Sequence, residues 1–252
     1  LLAAMFVALL MVGCGEDSKK PTEDSPESNA SSAETPPAKT DSSAEGKPFA
    51  IADLGLEMLW VKPGSFEMGS PSSDQDHQID ETRHTVTLTQ GFYLGKHEVT
   101  QSQWEKVMGS NPSKYKGANR PVEQVSWMDV TSFCAKLTAS ERAAGRLPAG
   151  MTYQLPTEAQ WEYACRAGTK TAFSFGAELT SEQANISGGS GETVDVGKYP
   201  GKSWGFHDMH GNEFECCADW YGAYPTGAVS DPVGPADGSY RVRRGGSWGD
   251  SA

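Results

Sequence analysis

A change in composition near Lys47 divides this chain into a segment that cannot fold and a domain that can. Residues 15–47 are dominated by Ser, Pro, Glu, Asp, Ala and Thr. This segment has too little apolar surface to offset the entropy lost on ordering. All seven Trp residues follow Lys47. We therefore predict a disordered linker over residues 15–47 and one folded domain over residues 48–252, which is long enough for a single sizeable core.

The sequence is acidic, with a formal net charge of −12. The predicted linker holds eight acidic and four basic residues, so most of the net negative charge belongs to the domain. A domain of this kind is a poor match for nucleic acid, because phosphate neutralisation dominates such binding. We therefore expect no nucleic-acid partner and a readier affinity for cations. The alternative is that the acidity only maintains solubility.

The N-terminal segment from Leu1 to Val12 is apolar throughout and ends in Gly13 and Cys14. It is too short to span a bilayer but has the length of the hydrophobic region of a signal peptide. The run from Leu10 to Cys14 resembles a bacterial lipobox. We therefore expect residues 1–14 to be an N-terminally incomplete lipoprotein signal peptide, with Cys14 lipidated and the protein anchored outside the cytoplasm, in the cell envelope. A short core helix is the alternative interpretation.

The domain shows many short elements separated by turns, which predicts an α+β fold. Alternation and turn residues predict strands at 58–61, 66–69, 84–88, 92–94 and 241–243. Thr100 and Thr157 are predicted N-caps of two helices, and a further helix is expected over 129–137. Residues 188–191 and 231–238 are predicted loops. Loops of this extent in a compact domain indicate function or an internal clamp such as a metal ion.

Six sequence blocks occur in one order along the domain. They are Phe66 to Gly69, Glu98 to Thr100 with Trp104, Pro121 to Trp127, Leu155 to Tyr163, Gly205 to Asn212, and Arg244 to Trp248. Together these blocks resemble the formylglycine-generating enzyme family, also called the sulfatase-modifying factor family. The resemblance implies a variant of the C-type lectin-like fold with short helices, short strands and much irregular loop.

The segment from Asp208 to Glu215 places carboxylates on both sides of a glycine turn. Carboxylates and exposed carbonyls are the ligands that Ca²⁺ prefers. The resemblance implies a structural calcium ion held by Asp208, Gly211, Glu213 and Glu215. It also implies a weaker second site at Asn185 and Ile186.

Two histidines of the same segment, His207 and His210, offer another interpretation. Imidazole suits Zn, Cu and Fe, but a zinc site needs further ligands in reach. We therefore expect these residues to be solvent-exposed loop histidines.

The position after the Gly-Gly-Ser turn bears on catalysis. The resemblance implies that copper-dependent members carry two cysteines beyond this turn, the first of them three residues after the serine. Here Asp250 occupies that position, and the second position falls beyond Ala252, so we expect the domain to be C-terminally incomplete. A carboxylate is too hard a ligand to replace a thiolate at Cu(I). No catalytic residue is assigned, and copper is not expected.

Three functions remain open from the sequence. The first is a lipid-anchored, non-oxidase member that binds a protein or peptide ligand, or catalyses an unassigned reaction. The second is a formylglycine-generating oxidase that acts on sulfatase cysteines in the cell envelope. The third is a relative of the iron-dependent sulfoxide synthases and hydroxylases. Fold alone does not decide among them.

Overall fold

The structure, a computed structural model, describes residues 6–7, 10–13, 46–74 and 77–251. Helices α1, α2 and α3 span Gln101–Met108, Trp127–Ala143 and Glu158–Arg166. Strands β1 to β11 are, in chain order, Phe6–Val7, Leu10–Gly13, Phe49–Ile51, Leu56–Val61, Gly64–Met68, His84–Leu88, Phe92–Gly95, Met151–Gln154, Glu215–Trp220, Val229–Ser230 and Arg241–Arg244. The predicted α+β class is confirmed.

The strands form three small sheets. A five-stranded sheet has the order β3-β4-β7-β2-β8, with antiparallel neighbours throughout. A second sheet has the order β10-β6-β5, and a third has the order β1-β9-β11. Each sheet is too small to enclose a core by itself, so the helices and loops must cover the remaining apolar faces.

Strands β1 and β2 belong to the segment that was predicted to be a signal peptide. The pairing places β1 parallel to β9, and β2 lies between β7 and β8. Processing of the chain before Cys14 would remove both strands. Strand pairing of this segment and lipidation of Cys14 are therefore mutually exclusive in one mature chain. Cys14 and the linker over residues 15–45 lie outside the described residues, and their predicted roles stay predictions.

The helix boundaries follow local capping. The Thr100 hydroxyl accepts a hydrogen bond from the Gln103 amide, and α1 ends at Gly109, whose φ is 84°. Both boundaries were predicted. Helix α2, in contrast, begins at Trp127 and not at residue 129, because Ser126 and Asp129 form a capping box. It also continues to Ala143, so the predicted helix over residues 129–137 was too short.

Strand β9 separates two hydrophobic clusters. Cys216 packs into the cluster beneath α2, where the rings of Trp104 and Phe133 stack 5.1 Å apart. The adjacent Cys217 packs into the cluster around α3, which also contains Trp161. Neighbouring residues of a strand point to opposite faces, so one strand serves both clusters. The segment from Asp208 to Glu215, which leads into β9, therefore lies next to both clusters.

An ion network centred on the buried carboxylate of Glu162 joins α3 to β11. The Arg244 guanidinium donates to Glu158 Oε1 at 2.8 Å and to Glu162 Oε2 at 2.7 Å. The other oxygen of Glu162 accepts from Arg166 Nε at 2.8 Å and from the Gly69 amide at 3.0 Å. Both oxygens of Glu162 are therefore satisfied, by Arg244 on β11, by Arg166 on α3 itself and by Gly69 just after β5. The favourable charges of Arg244 and Arg166 hold the pKa of Glu162 below its usual value, although burial alone would raise it.

Candidate functional site

The predicted calcium segment folds into a tight turn before β9. Asp208, Gly211 and Asn212 all have positive φ, at 56°, 72° and 62°. A Cβ at position 211 would lie 2.3 Å from the carbonyl oxygen of Asn185. Glycine is therefore required at position 211 by the close approach of two backbones.

This turn brings buried carboxylates together. Asp208, Glu213 and Glu215 are all buried, as was needed for the predicted site. Glu98, which precedes α1, joins them and is only 2 % exposed. Burial raises the pKa of Glu98 well above its usual value, and repulsion from Asp208 and Glu215 adds to the increase. Burial also raises the pKa of Glu215 to about 8.

Each carboxylate of the cluster has one oxygen fixed by a donor. Glu98 Oε1 accepts a hydrogen bond from Asn212 Nδ2 at 3.0 Å. Glu215 Oε2 accepts from the indole Nε1 of Trp161 at 2.9 Å, and Asp208 Oδ2 accepts from the amide of Gly197 at 2.6 Å. The second oxygen of Glu98, Oε2, is buried with no hydrogen-bond partner.

The carboxylates of this cluster have no ion-pair partner among the described residues. The ion pairs of the described residues leave out Glu98, Asp208 and Glu215. Buried charges without partners are strongly unfavourable, and Ca²⁺ coordinates oxygen ligands of this type. No three carboxylate, imidazole or thiol side chains of the described residues stand in metal-binding geometry. A calcium ion here would therefore also need the carbonyls of Gly211 and Glu213, as the resemblance implies.

The weaker predicted site at Asn185 and Ile186 has its oxygens engaged within the protein. The Asn185 side-chain oxygen accepts from the Ser190 hydroxyl at 2.8 Å, and its carbonyl accepts from the Asn212 amide at 2.7 Å. The Ile186 carbonyl accepts from Gly189 at 2.9 Å. These bonds close the 185–190 loop and connect it to the Asp208–Glu215 turn, and a second calcium site stays a prediction.

The two histidines are not the exposed loop residues that the sequence indicated. His207 Nδ1 donates to the Tyr199 carbonyl at 3.0 Å, and His210 Nε2 accepts from the Ser174 amide at 3.1 Å. Burial, together with the nearby charge of Lys202, lowers the pKa of His210 to about 3. His210 is therefore a neutral, half-buried structural residue.

Asp250, which stands where the resemblance implies the first copper-binding cysteine, closes the Gly-Gly-Ser turn. Asp250 Oδ2 accepts from the Ser247 amide at 2.9 Å and from the Ser247 hydroxyl at 2.6 Å. The Asp250 carbonyl also accepts from the Ser187 amide at 2.8 Å. Asp250 thus stabilises its own turn and does not supply a soft ligand for Cu(I).

The cysteines of the domain lie elsewhere. Cys134, Cys165 and Cys217 are buried thiols, and burial raises the pKa of Cys134 and of Cys165 to about 12. A thiol with a raised pKa is a poor nucleophile and metal ligand, because only the thiolate reacts. These residues are therefore packing elements of the two hydrophobic clusters.

A cleft of about 940 Å³ lies along one side of α3. Three of the aromatic rings that line it lie side by side: the ring centroids of Phe66 and Tyr163 are 5.2 Å apart, and those of Tyr163 and Trp204 are 5.0 Å apart. Trp204 is 38 % exposed, which is unusual for so large a side chain. Exposed aromatic residues in a concavity are typical of ligand-binding surfaces.

The irregular sheets, capped short helices and Gly-Gly-Ser turn define a C-type lectin-like domain of the sulfatase-modifying type. The model of the sulfatase-modifying factor enzyme 1-like domain matches residues 47–252. The chain therefore belongs to this family, as the sequence blocks indicated.

Three proteins with similar sequences carry names that describe three different activities. The chain is 29% identical over 244 residues to the chaperone protein LppX of Paenibacillus barcinonensis, covering 76% of this chain and 78% of LppX. It is 32% identical to the serine/threonine-protein kinase pkn1 of Chlamydia caviae, covering 77% of this chain but only 33% of that kinase. It is 31% identical to the formylglycine-generating enzyme of Mus musculus, covering 60% of this chain and 41% of the enzyme.

Two solved structures share the fold. Treponema denticola variable protein 1 superposes with a TM-score of 0.71 at 30% identity, covering 81% of this chain and 88% of that protein. PvdO from Pseudomonas aeruginosa gives a TM-score of 0.69 at 26% identity, covering 82% and 88%. None of the helices among the described residues is long and apolar enough to cross a bilayer.

One residue of the acidic cluster was missed by sequence reasoning. Glu98 was recognised only as part of a family block, because a glutamate just before a helix is ordinarily a surface residue. Its contact with Asn212 spans 114 positions of sequence. No local pattern contains that information.

Proposed function

We propose that this protein is a non-oxidase member of the sulfatase-modifying factor family that acts by binding a polypeptide ligand. The observation that carries the proposal is the role of Asp250 in the Gly-Gly-Ser turn. Its carboxylate is committed to Ser247, and it stands where the copper-dependent relatives are expected to carry a cysteine. A single carboxylate of this kind neither binds Cu(I) well nor activates a substrate thiol.

The oxidase alternative is tested by direct conversion. We expect the full-length protein, loaded with Cu(I) and mixed in air with a sulfatase-type cysteine peptide, to leave the peptide unchanged. Mass spectrometry would detect the loss of mass that marks conversion of the thiol to an aldehyde. A formylglycine-generating enzyme acting on the same peptide is the positive control. Copper-dependent conversion by this protein would overturn the proposal.

The binding of a polypeptide is tested separately, at the cleft beside α3. A polypeptide bound there would contact the exposed ring of Trp204, whose fluorescence is then the readout. We expect titration with a reduced, unfolded polypeptide to shift this fluorescence, and Trp204→Phe to remove the shift. Trp220→Phe is the matched control, because Trp220 does not line this cleft. A shift retained in Trp204→Phe would place the binding surface elsewhere.

A structural calcium ion at Asp208, Gly211, Glu213 and Glu215 is part of the proposal. The support is the burial of the Asp208, Glu213 and Glu215 carboxylates, which have no ion-pair partner among the described residues, and the all-oxygen ligand set. A bound Ca²⁺ would neutralise this charge and fix the turn before β9. The protein's own contribution is the positive-φ turn between Asp208 and Glu213.

The proposed location is outside the cytoplasm, with the domain anchored through lipid on Cys14. The support is the apolar run from Leu1 to Val12 that ends in Gly13 and Cys14. Expressed with its complete signal peptide in a bacterium, the protein should partition into detergent, and Cys14→Ser should remain an unlipidated precursor. Mass spectrometry of the N-terminal peptide is the measurement. An unmodified residue 14 in a fully soluble wild-type protein would contradict the anchor.

A further inference from the structure

Strand β11 lies at an open edge of its sheet. The sheet has the order β1-β9-β11, so β11 pairs with β9 on one side and with no strand of the described residues on the other. A groove of about 780 Å³, the β11 groove, is lined by all four residues of β11. Of β9 only the last residue, Trp220, lines it, so the groove lies on the side of β11 away from β9. An extended peptide can add to such an edge as a further strand.

The two faces of β11 have different partners. Val242 is buried in the cluster around α3, and Arg244 bonds two glutamates of that helix. Side chains alternate along a strand, so Arg241 and Arg243 lie on the opposite face of the sheet. A peptide added to this edge would therefore meet the two arginines with every second side chain.

Arg241 is held between two indole rings. Its Cζ lies 3.9 Å from the ring centroid of Trp127 and 3.5 Å from that of Trp220. One of its nitrogens, Nη1, donates to the Ala218 carbonyl at 2.6 Å. Stacking of this kind fixes the plane of the guanidinium and leaves its remaining N–H groups directed along the sheet surface.

Arg243 repeats the arrangement closer to the solvent. It is exposed, and its Cζ lies 4.0 Å from the ring centroid of Phe214. Within the part of the chain that the structure describes, neither Arg241 nor Arg243 forms an ion pair. An oriented guanidinium without a partner can bind a carboxylate through two parallel hydrogen bonds.

The carboxylates of the groove do not supply that partner. Three of them line it, and each accepts a hydrogen bond from another side chain of the protein: Asp80 from Tyr221, Glu81 from Ser70 and Glu158 from Arg244. The charge that is free to bind a ligand at β11 is therefore positive, although the chain as a whole carries a formal net charge of −12. This local charge favours an acidic ligand.

We propose that β11 is the docking edge for an acidic peptide, which adds to the sheet as an extended strand and places its carboxylates on Arg241 and Arg243. The side chains between those carboxylates would face the β11 groove. The rings of Tyr221 and Tyr240, which are 56 % and 75 % exposed, border this groove, so apolar side chains fit there. The surface is separate from the cleft beside α3 and does not depend on the ligand proposed for that cleft. In the competing explanation, the arginines only keep an exposed edge from pairing with other chains.

The first test uses a synthetic peptide with blocked termini that alternates Glu and Val over about six residues, the usual length of a strand. We expect it to bind the wild-type protein in a calorimetric titration. Arg243→Gln should bind it at least about tenfold more weakly, because a charge-assisted hydrogen bond is lost. The matched control is Arg83→Gln, which removes an exposed arginine outside the groove and should bind as wild type does.

Three results of this titration would overturn the proposal. They are the absence of binding to wild type, equal binding by Arg243→Gln and wild type, and equal binding of a peptide that carries Lys in place of Glu. Circular dichroism establishes that Arg243→Gln is folded. Should it not fold, the comparison of the Glu and Lys peptides on wild type remains decisive.

A second test distinguishes strand addition from attraction between charges. A strand pairs with its neighbour through alternate amides only. We therefore expect the peptide to lose binding when the amides of one alternate set are N-methylated, and to keep it when the other set is N-methylated. Equal binding by the two methylated peptides would show that no strand is added and would overturn the proposal.

The fluorescence of tryptophan locates the peptide. Trp220 lines the β11 groove and stacks on Arg241, so its emission should change when the peptide binds. Trp220→Phe should lose this change, and Trp204→Phe should retain it. The reverse pattern would place the acidic peptide in the cleft beside α3. That result would overturn the docking edge at β11 and leave the function proposed above standing.

Discussion

Replacing Arg244 by methionine should lower the free energy of unfolding by about 3 kcal/mol, because the buried carboxylate of Glu162 loses one of its two cationic partners. For a domain of this size that loss corresponds to a decrease in melting temperature of roughly 10 °C. Arg244 bonds both Glu158 and Glu162, and the pKa of Arg244 is raised well above its usual value by these partners. Urea unfolding followed by circular dichroism is the measurement.

A surface ion pair offers the matched control. Arg83 lies 3.8 Å from Glu67, and both side chains are 38 % exposed. Arg83→Met should change the free energy of unfolding by less than about 1 kcal/mol, because water and salt screen such pairs. A loss of less than about 1 kcal/mol for Arg244→Met would show that the buried network contributes little.

Removal of calcium should have the second large effect on stability. An ion that binds only the folded state stabilises it by about 2.7 kcal/mol at one hundred times its Kd and by about 4.1 kcal/mol at one thousand times. EDTA should therefore lower the melting temperature by roughly 10 °C. Glu215→Gln should melt at the same temperature with and without EDTA, because it no longer holds the ion.

The control for chelation is Asp219→Asn, which changes a buried carboxylate of β9 that accepts from the Glu158 amide outside the cluster and should retain the full response to EDTA. Differential scanning fluorimetry gives the melting temperatures, and elemental analysis gives the bound calcium. A wild-type melting curve that EDTA does not move, with no calcium in the purified protein, would exclude a structural ion at this turn.

The sequence by itself determined the features that depend on near neighbours. The N-caps at Thr100 and Thr157, the end of α1 at Gly109 and strand β6 all follow from interactions within a few residues. Such interactions are encoded in short patterns of polar, apolar and glycine residues. The ordered family blocks determined the fold for the same reason, because each block specifies a turn or a helix start.

Sequence could not define β9 in the same way. Its residues Glu215 to Asp219 are buried on both faces apart from Ala218, so the alternation that reveals a half-buried strand is missing. A strand of this kind gives no periodic signal. Helix α2 was underestimated because its last turns continue beyond Leu137 through positions where polar side chains, such as Glu141, are also buried.

Only the tertiary structure decided which carboxylates meet at the candidate site. The turn from Asp208 to Glu215 was visible in the sequence, but its fourth carboxylate, Glu98, arrives from a distant segment. Asn212 and Glu98 are 114 positions apart and meet only because α1 and β9 pack on the same hydrophobic cluster. Burial by that packing, and not the residue type, converts an ordinary glutamate into a group that requires a proton or a cation.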